Sequence, residues 1–118
     1  MAHEQLVALG VDVDALIERL MGKEELVPVF MKMFVEDKNF LSLGEAIADG
    51  SNENAFIASH TLKGMCANLS LTVLYRLFSE QVEFFRSGQW EGAVAMMPEI
   101  TAEYTRVADG LKQYLGLS

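Results

Sequence analysis

The stretch that decides the fold is residues 52–71, NENAFIASHTLKGMCANLSL. Its apolar residues recur at intervals of three and four, the spacing that places them on one face of an α-helix. With Leu62 at the centre of that face, the stripe also contains Ala55, Ala58, Ser59, Met65, Cys66 and Leu69. We therefore expect a helix over residues 52–69 that begins at Asn52 as its N-cap and buries this stripe.

The same periodicity continues on both sides of this helix, and strand signals are nearly absent. The chain has no Asn-Gly or Asp-Gly hairpin turn and no long alternating run of Val, Ile and Thr. Glycine and serine breaks separate further helical segments, which we expect over residues 12–21, 23–50, 72–86 and 90–115. Long amphipathic segments joined by short connections pack as antiparallel neighbours. The sequence therefore predicts an all-α fold, an antiparallel up-down four-helix bundle with a short extra N-terminal helix.

Local signals predict where these segments begin, bend and end. Asp12 is the N-cap candidate of the first helix, and Gly22 is its stop. Pro28 belongs in the first turn of the second helix, which we expect to bend around residues 38–41. Pro98 interrupts or kinks the last helix. The seven methionines lie at core spacing and are interpreted as core filling.

Composition restricts the class of protein. A chain of 118 residues with 51% hydrophobic and 22% charged residues is typical of one globular domain, which we assign to residues 1–118. The single cysteine, Cys66, permits no internal disulfide, and the N-terminus lacks the basic leader of a signal peptide. A net charge of −8 with scattered basic residues disfavours nucleic acid, and no apolar stretch is long enough to span a membrane. We expect a cytoplasmic monomer that binds neither nucleic acid nor membrane.

Motifs for several large enzyme classes are missing. GxxxxGK[ST], GxGxxG, HExxH and GxSxG do not occur. Two histidines and one cysteine cannot supply a four-ligand zinc site of the Cys/His type. We therefore expect no cofactor and no metal on this chain.

The outer face of the helix over residues 52–69 carries an isolated histidine. At about 100° per residue, His60 lies about 160° from Leu62 and points outward. Its neighbours on that face are Phe56, Ile57, Lys63, Gly64 and Ala67.

Three features of this outer face are unusual for a solvated surface. Gly64 lies four residues after His60, where glycine costs about 1 kcal/mol relative to alanine but leaves one flank of the imidazole bare. Lys63 places an ammonium within reach of any group attached to the ring, and the other neighbours are apolar or small. An accessible imidazole beside a cation suits a phosphoryl carrier. The alternative is an ordinary surface histidine, with Gly64 as a close helix-packing contact.

The string SHTLKGMCANLSL, residues 59–71, resembles the motif of histidine-containing phosphotransfer (HPt) domains. In that motif an alanine precedes the histidine, and x-Leu-Lys-Gly and a run of small residues follow it. The matching positions are His60, Leu62, Lys63, Gly64, Ala67, Asn68 and Leu69. The similarity covers most of the chain, but it is specific only over residues 55–88.

The resemblance implies a stand-alone phosphorelay intermediate with a four-helix bundle and no ATP site. His60 would accept a phosphoryl group from a receiver-domain aspartate, or from a hybrid or sensor histidine kinase, and pass it to the receiver domain of a response regulator. Lys63 would stabilise the phosphoryl group and Gly64 would leave room for it. Mg²⁺ is expected on the receiver partner only. The expected partner-docking residues are Phe56, Ile57, Ala67, Asn68, Ser79 and Arg86.

Two positions after the histidine depart from the HPt pattern. Ser70 stands where a glycine commonly follows the leucine of the motif, which affects the turn more than the chemistry. Val82 stands near the position where many members carry a polar residue opposite the histidine, and Ser79 or Arg86 are candidates to substitute for it. Two other interpretations remain open: a phosphorylation-independent helical adaptor that binds a receiver domain, and a helical regulatory subunit with an accidental motif.

Overall fold

The computed structural model describes residues 2–117, which form helices joined by short turns. In chain order these are α1 (Ala2–Ala8), α2 (Val13–Arg19), a 3-10 turn (Glu24–Leu26), α3 (Val27–Glu36), α4 (Asn39–Ala48), α5 (Asn52–Asn68), α6 (Thr72–Arg86), α7 (Trp90–Ala95) and α8 (Met97–Tyr114). Within residues 2–117 the extended pairing is limited to one isolated antiparallel bridge, between Val11 and Leu71. The predicted all-α class is confirmed. No helix in this part of the chain has the length and apolar character needed to cross a membrane.

Helix α5 occupies the middle of the structure. It packs most extensively against α6 and next against α4, while α8 packs against α3, α1 and α6. The core between these helices is filled by large side chains that are fully buried, among them Phe34, Leu62, Phe78, Phe85 and Ile100. Helix α5 is therefore buried on its inner face, and its outer face is exposed.

The N-terminal part contains one more helix than expected. Helix α2 begins as predicted, since the Asp12 carboxylate accepts a hydrogen bond from the Ala15 amide at 3.1 Å. Helix α1 precedes it and packs on α8, with Leu6 fully buried. Gly110 of α8 permits this contact, because a Cβ there would overlap the side chain of Leu9. The contact that stabilises α1 lies about a hundred residues away in the chain, so periodicity at the N-terminus did not predict it.

The segment expected as one bent helix over residues 23–50 is two helices, so that prediction is wrong in its continuity. Asp37 has an extended backbone, with φ −68° and ψ 146°, and ends α3. Its carboxylate then accepts a hydrogen bond from the Asn39 amide at 2.8 Å, which satisfies a donor at the start of α4. Pro28 lies in the first turn of α3, as predicted.

The last segment is interrupted as predicted, at Met96, two residues before Pro98. Helix α7 ends at Ala95, and Pro98 lies in the first turn of α8. A proline inside a continuous helix would collide with the carbonyl four residues earlier, so the helix breaks at Met96 instead. The carbonyl of Ala93 at this break accepts a hydrogen bond from the Gln81 amide at 3.1 Å.

The turn between α5 and α6 keeps its geometry without the glycine common in HPt domains. Ser70 adopts a left-handed backbone, with φ +55°. The Leu71 amide donates to the Cys66 carbonyl at 2.9 Å and the Ser70 amide to the Ala67 carbonyl at 3.2 Å, which is the Schellman pattern. The Ser70 carbonyl accepts a further hydrogen bond from the Asp12 amide at 2.9 Å. The turn is therefore formed, at a conformational cost that glycine would not have.

Replacing Ser70 by glycine should therefore stabilise the fold. We expect Ser70→Gly to raise the free energy of unfolding by about 1 kcal/mol, because a side chain in the left-handed region costs roughly that amount. Urea denaturation measures it as a higher midpoint with an unchanged m-value. Ser42→Gly is the matched control, since Ser42 is exposed inside α4 and should lose several tenths of a kcal/mol. A less stable Ser70→Gly variant would mean that the serine side chain contributes more than the backbone strain removes.

Candidate functional site

His60 lies on the outer face of α5 and is exposed. The inner face carries the predicted stripe, and its fully or nearly fully buried members are Ala55, Ala58, Ser59, Leu62, Cys66 and Leu69. Met65, which was placed on the same stripe, is half-buried at its edge. The 3.6-residue period of the helix therefore positions the imidazole as the sequence predicted.

The helix begins one residue earlier than expected. Ser51, with an extended backbone, is the N-cap, and its hydroxyl accepts a hydrogen bond from the Asn54 amide at 3.2 Å. The prediction of Asn52 as the cap is wrong, because Asn52 is already in the helix and its side chain has another partner. Its amide donates to the Phe85 carbonyl at 3.2 Å, near the end of α6. The first turn of α5 is thus joined to the last turn of α6.

The imidazole of His60 has one closed flank and one open flank. Phe56, one turn earlier, stacks on it with ring centroids 5.8 Å apart and planes 15° apart. Gly64, one turn later, is exposed, and a Cβ built there would meet no heavy atom within 4 Å. The interpretation of Gly64 as a close helix-packing contact is therefore wrong. Among residues 2–117 no side chain forms a hydrogen bond to the imidazole, which leaves its nitrogens accessible.

Lys63 supplies a cation beside the imidazole. It is half-buried, lies three residues after His60, and forms no ion pair with any residue between 2 and 117. The nearby arginine of α6, Arg86, is instead paired with Glu83. A lysine ammonium without a carboxylate partner can balance the charge of an incoming anion.

The side chains of α6 do not supply the hydrogen bond that the motif comparison suggested. Val82 is fully buried in the core and does not face the imidazole. Ser79 donates its hydroxyl to the Tyr75 carbonyl of its own helix at 2.6 Å. The guanidinium of Arg86 lies over the ring of Phe56, 5.4 Å from its centroid. The suggestion that Ser79 or Arg86 hydrogen-bonds His60 is therefore wrong.

A buried polar network begins at Ser59, the residue before His60. The hydroxyl of Ser59 donates to the side-chain oxygen of Gln81 at 2.8 Å, and both residues are fully buried. The amide nitrogen of Gln81 is 3.1 Å from the Ala93 carbonyl and 3.2 Å from the sulfur of Met97. Each buried polar side-chain atom in the described chain has a partner. The network links α5 to α6 and to the break between α7 and α8, and so holds the backbone under His60 in register.

The expected docking residues lie on the two sides of His60. Ile57, 54% exposed, lies on the side of α4, in a shallow groove with Asn39 and Asp49. Phe56 and Arg86 lie together on the side of α6, and Ser79 is half-buried about two turns before Arg86. Ala67 is half-buried and Asn68 is exposed further along α5. The structure therefore brings Phe56 to the imidazole and Arg86 to the ring of Phe56, and it shows no ring contact or hydrogen bond between the imidazole and the other expected docking residues.

A groove beside Asn68 was missed from the sequence. It has a volume of about 330 Å³ and lies between α2, α3 and the end of α5, and its lining includes Arg19, Leu20, Phe30, Met33, Met65 and Asn68. Asn68 lies eight residues after His60, about 12 Å along the helix axis. Met1 lies outside the described residues, and among the six methionines of residues 2–117 the interpretation as core filling is wrong for two, since Met33 is 59% exposed and Met21 is 86% exposed. No signal in the sequence separated them from the buried Met31.

The thiol of Cys66 is not available for nucleophilic chemistry. Burial raises the pKa of the Cys66 thiol to about 12, so the thiol is neutral at physiological pH and its sulfur is a poor nucleophile. No group of three or more His, Cys, Asp or Glu side chains between residues 2 and 117 is placed to hold a metal ion. Cys66 therefore does not compete with His60 as an accessible nucleophile.

Comparisons of the chain with protein-family models, with curated proteins and with solved structures find no match.

Proposed function

We propose that this chain is a histidine phosphotransfer protein, a phosphorelay intermediate that carries a phosphoryl group on His60. The donor is an aspartyl phosphate of a receiver domain or a histidine kinase, and the acceptor is the receiver domain of a response regulator. The observation that carries the proposal is the coincidence of the HTLKG string, residues 60–64, with an exposed imidazole whose Gly64 flank is open. A surface histidine without a role in transfer would not require a glycine one turn later in its helix.

The transfer step uses few groups on this chain. The lone pair of a neutral imidazole nitrogen attacks phosphorus, so that an N–P bond forms while the aspartyl O–P bond breaks and the carboxylate leaves. The proton on the other ring nitrogen exchanges with water, and the reverse step delivers the group to the next aspartate. Lys63 balances part of the phosphoryl charge, while Mg²⁺ in the receiver partner balances the rest. The proposed role is that of a carrier and not of a kinase, since the sequence contains no nucleotide-binding motif.

The bundle arrangement expected of such a domain is part of the proposal. Helices α4, α5 and α6 pack side by side, and α8 completes the layer through α6 and α3. This arrangement keeps α5 backed by neighbours along its inner face while the face with His60 stays uncovered. The groove beside Asn68 enlarges the apolar surface on which a receiver domain would dock.

Incubation with a panel of phosphorylated receiver domains tests the proposal. We expect the intact mass of the protein to increase by one phosphoryl group, measured at neutral pH because a phosphoramidate is acid-labile and base-stable. A phosphorylation-independent adaptor would bind a receiver domain without any gain in mass. That result, or the absence of transfer from every donor in the panel, would contradict the proposal.

Lys63 is expected to affect the rate of transfer and not the stability of the fold. Lys63→Ala should change the free energy of unfolding by no more than about 0.5 kcal/mol, as substitutions near the surface usually do. Loss of the charge-assisted contact should slow transfer about tenfold or more. Rapid-quench kinetics with a phosphorylated receiver measure the rate, and Lys32→Ala, an exposed lysine on α3, is the control. If the Lys63→Ala variant transfers at the wild-type rate, Lys63 contributes to solubility and not to transfer.

A further inference from the structure

The imidazole of His60 is held by a stack and not by a hydrogen bond. We propose that Phe56 and Arg86 are a positioning pair that sets the plane of the His60 ring, so that a phosphoryl donor approaches from the Gly64 side. This inference rests on the proposed function and assigns to Phe56 and Arg86 a role beyond contact with a partner. An exposed side chain without a hydrogen-bond partner otherwise samples several rotamers, most of which turn the nucleophilic nitrogen away from the donor.

Phe56 is suited to this role by its position in the helix. Residues four apart are neighbours on a helix surface, so the phenyl ring lies one turn before the imidazole. The 15° angle between the two planes and the 5.8 Å separation of their centroids define an offset stack. Phe56 is half-buried, while His60 is exposed. The less mobile ring is therefore the support and the imidazole is the supported group.

Arg86 holds the phenyl ring from the neighbouring helix. Its guanidinium carbon lies 5.4 Å from the centroid of Phe56, and the same guanidinium is paired with Glu83 one turn earlier on α6. The hydrogen bond from Asn52 to the Phe85 carbonyl joins the start of α5 to the residue before Arg86. This hydrogen bond fixes the distance between α5 and α6 near Arg86. That distance brings the guanidinium of Arg86 into contact with the phenyl ring of Phe56.

The two flanks of the imidazole then become different. Phe56 covers the flank toward the start of α5, whereas nothing lies within 4 Å of a Cβ position at Gly64 on the other flank. Because Val82 is a buried aliphatic residue, no side chain from that position competes to orient the ring. The stack with Phe56 therefore orients the His60 ring, as a polar residue at position 82 would otherwise do.

The test combines an NMR measurement with transfer kinetics. In Phe56→Leu we expect the ring-proton resonances of His60 to move, because the ring current of the phenyl group is lost. We expect the transfer rate constant at saturating phosphorylated receiver to fall roughly tenfold, with little change in the receiver concentration that gives half-saturation. Arg86→Ala should move the same resonances and lower the rate constant less. Phe56→Tyr keeps the ring and should restore both measurements.

Phe84→Leu is the matched control. Phe84 is also half-buried, but it packs on Gly92, whose Cβ position lies 2.9 Å from the phenyl ring. The Phe84→Leu variant should show wild-type His60 resonances and a wild-type transfer rate constant. Unchanged His60 resonances in Phe56→Leu would overturn the proposal, as would a change confined to half-saturation, which is the mark of a docking residue. The two proposals are tested separately. Absence of transfer in the wild-type protein would contradict the proposed function. The His60 resonances report the stack in the absence of any receiver domain.

Discussion

The His60→Gln variant should take up no phosphoryl group from any donor that labels the wild-type protein. The substitution removes the accessible ring nitrogen of the proposed site, and Cys66 is buried as a neutral thiol. Because His60 is exposed, the fold should lose no more than about 0.5 kcal/mol. Intact-mass measurement at neutral pH reports the label, and a brief exposure to acid should remove it from the wild-type protein.

The other histidine provides the control for this experiment. His3 lies on α1, where its ring nitrogen is 3.1 Å from the carboxylate of Glu24. His3→Gln should therefore be labelled to the same extent and at the same rate as the wild-type protein. A His60→Gln variant that still gains a phosphoryl group, or a label that survives acid, would show that another side chain is the acceptor.

The Gly64→Gln variant should be more stable than the wild-type protein and should transfer poorly. Gly64 is exposed inside α5 with open space at its Cβ position, so a helix former there relieves the glycine penalty. We expect a gain in the free energy of unfolding of several tenths of a kcal/mol, up to about 1. The same side chain stands one turn from the imidazole on its open flank, so the phosphoryl transfer rate should fall about a hundredfold or more.

Gly44 makes the interpretation of this variant specific. It is exposed inside α4, and its Cβ position likewise has no heavy atom within 4 Å. Gly44→Gln should therefore gain stability to a similar extent and leave transfer unchanged. Denaturant melts and receiver-transfer assays on both variants separate stability from access. A Gly64→Gln variant that is less stable than the wild-type protein and fully competent in transfer would contradict the open flank beside His60.

The position of His60 shows how much of the site is encoded locally. The 3.6-residue period of one helix, centred on Leu62, was enough to place His60 outward with Lys63 and Gly64 beside it. The bounds of α6, Thr72–Arg86, followed from periodicity and flanking turns in the same way. These features depend on residues within a few positions of one another, so that a single stretch of sequence contains the information.

The contacts between helices required the tertiary structure. The sequence did not distinguish an open Gly64 from a packed one, although Gly110 proved to be in close contact with Leu9. It also placed Val82 opposite the histidine, where the structure buries it, and did not predict the contact of Arg86 with Phe56.

By itself, therefore, the sequence determined the all-α class, most helix bounds and the outward direction of His60, because hydrogen bonding and amphipathic burial within a helix are local. The tertiary structure decided the added helix α1 and its packing on α8, and the contact of Arg86 with Phe56. These features depend on the rotation and register of one helix against another. Rotation and register are set by the packing of side chains from distant parts of the chain, which the period of a single helix does not contain.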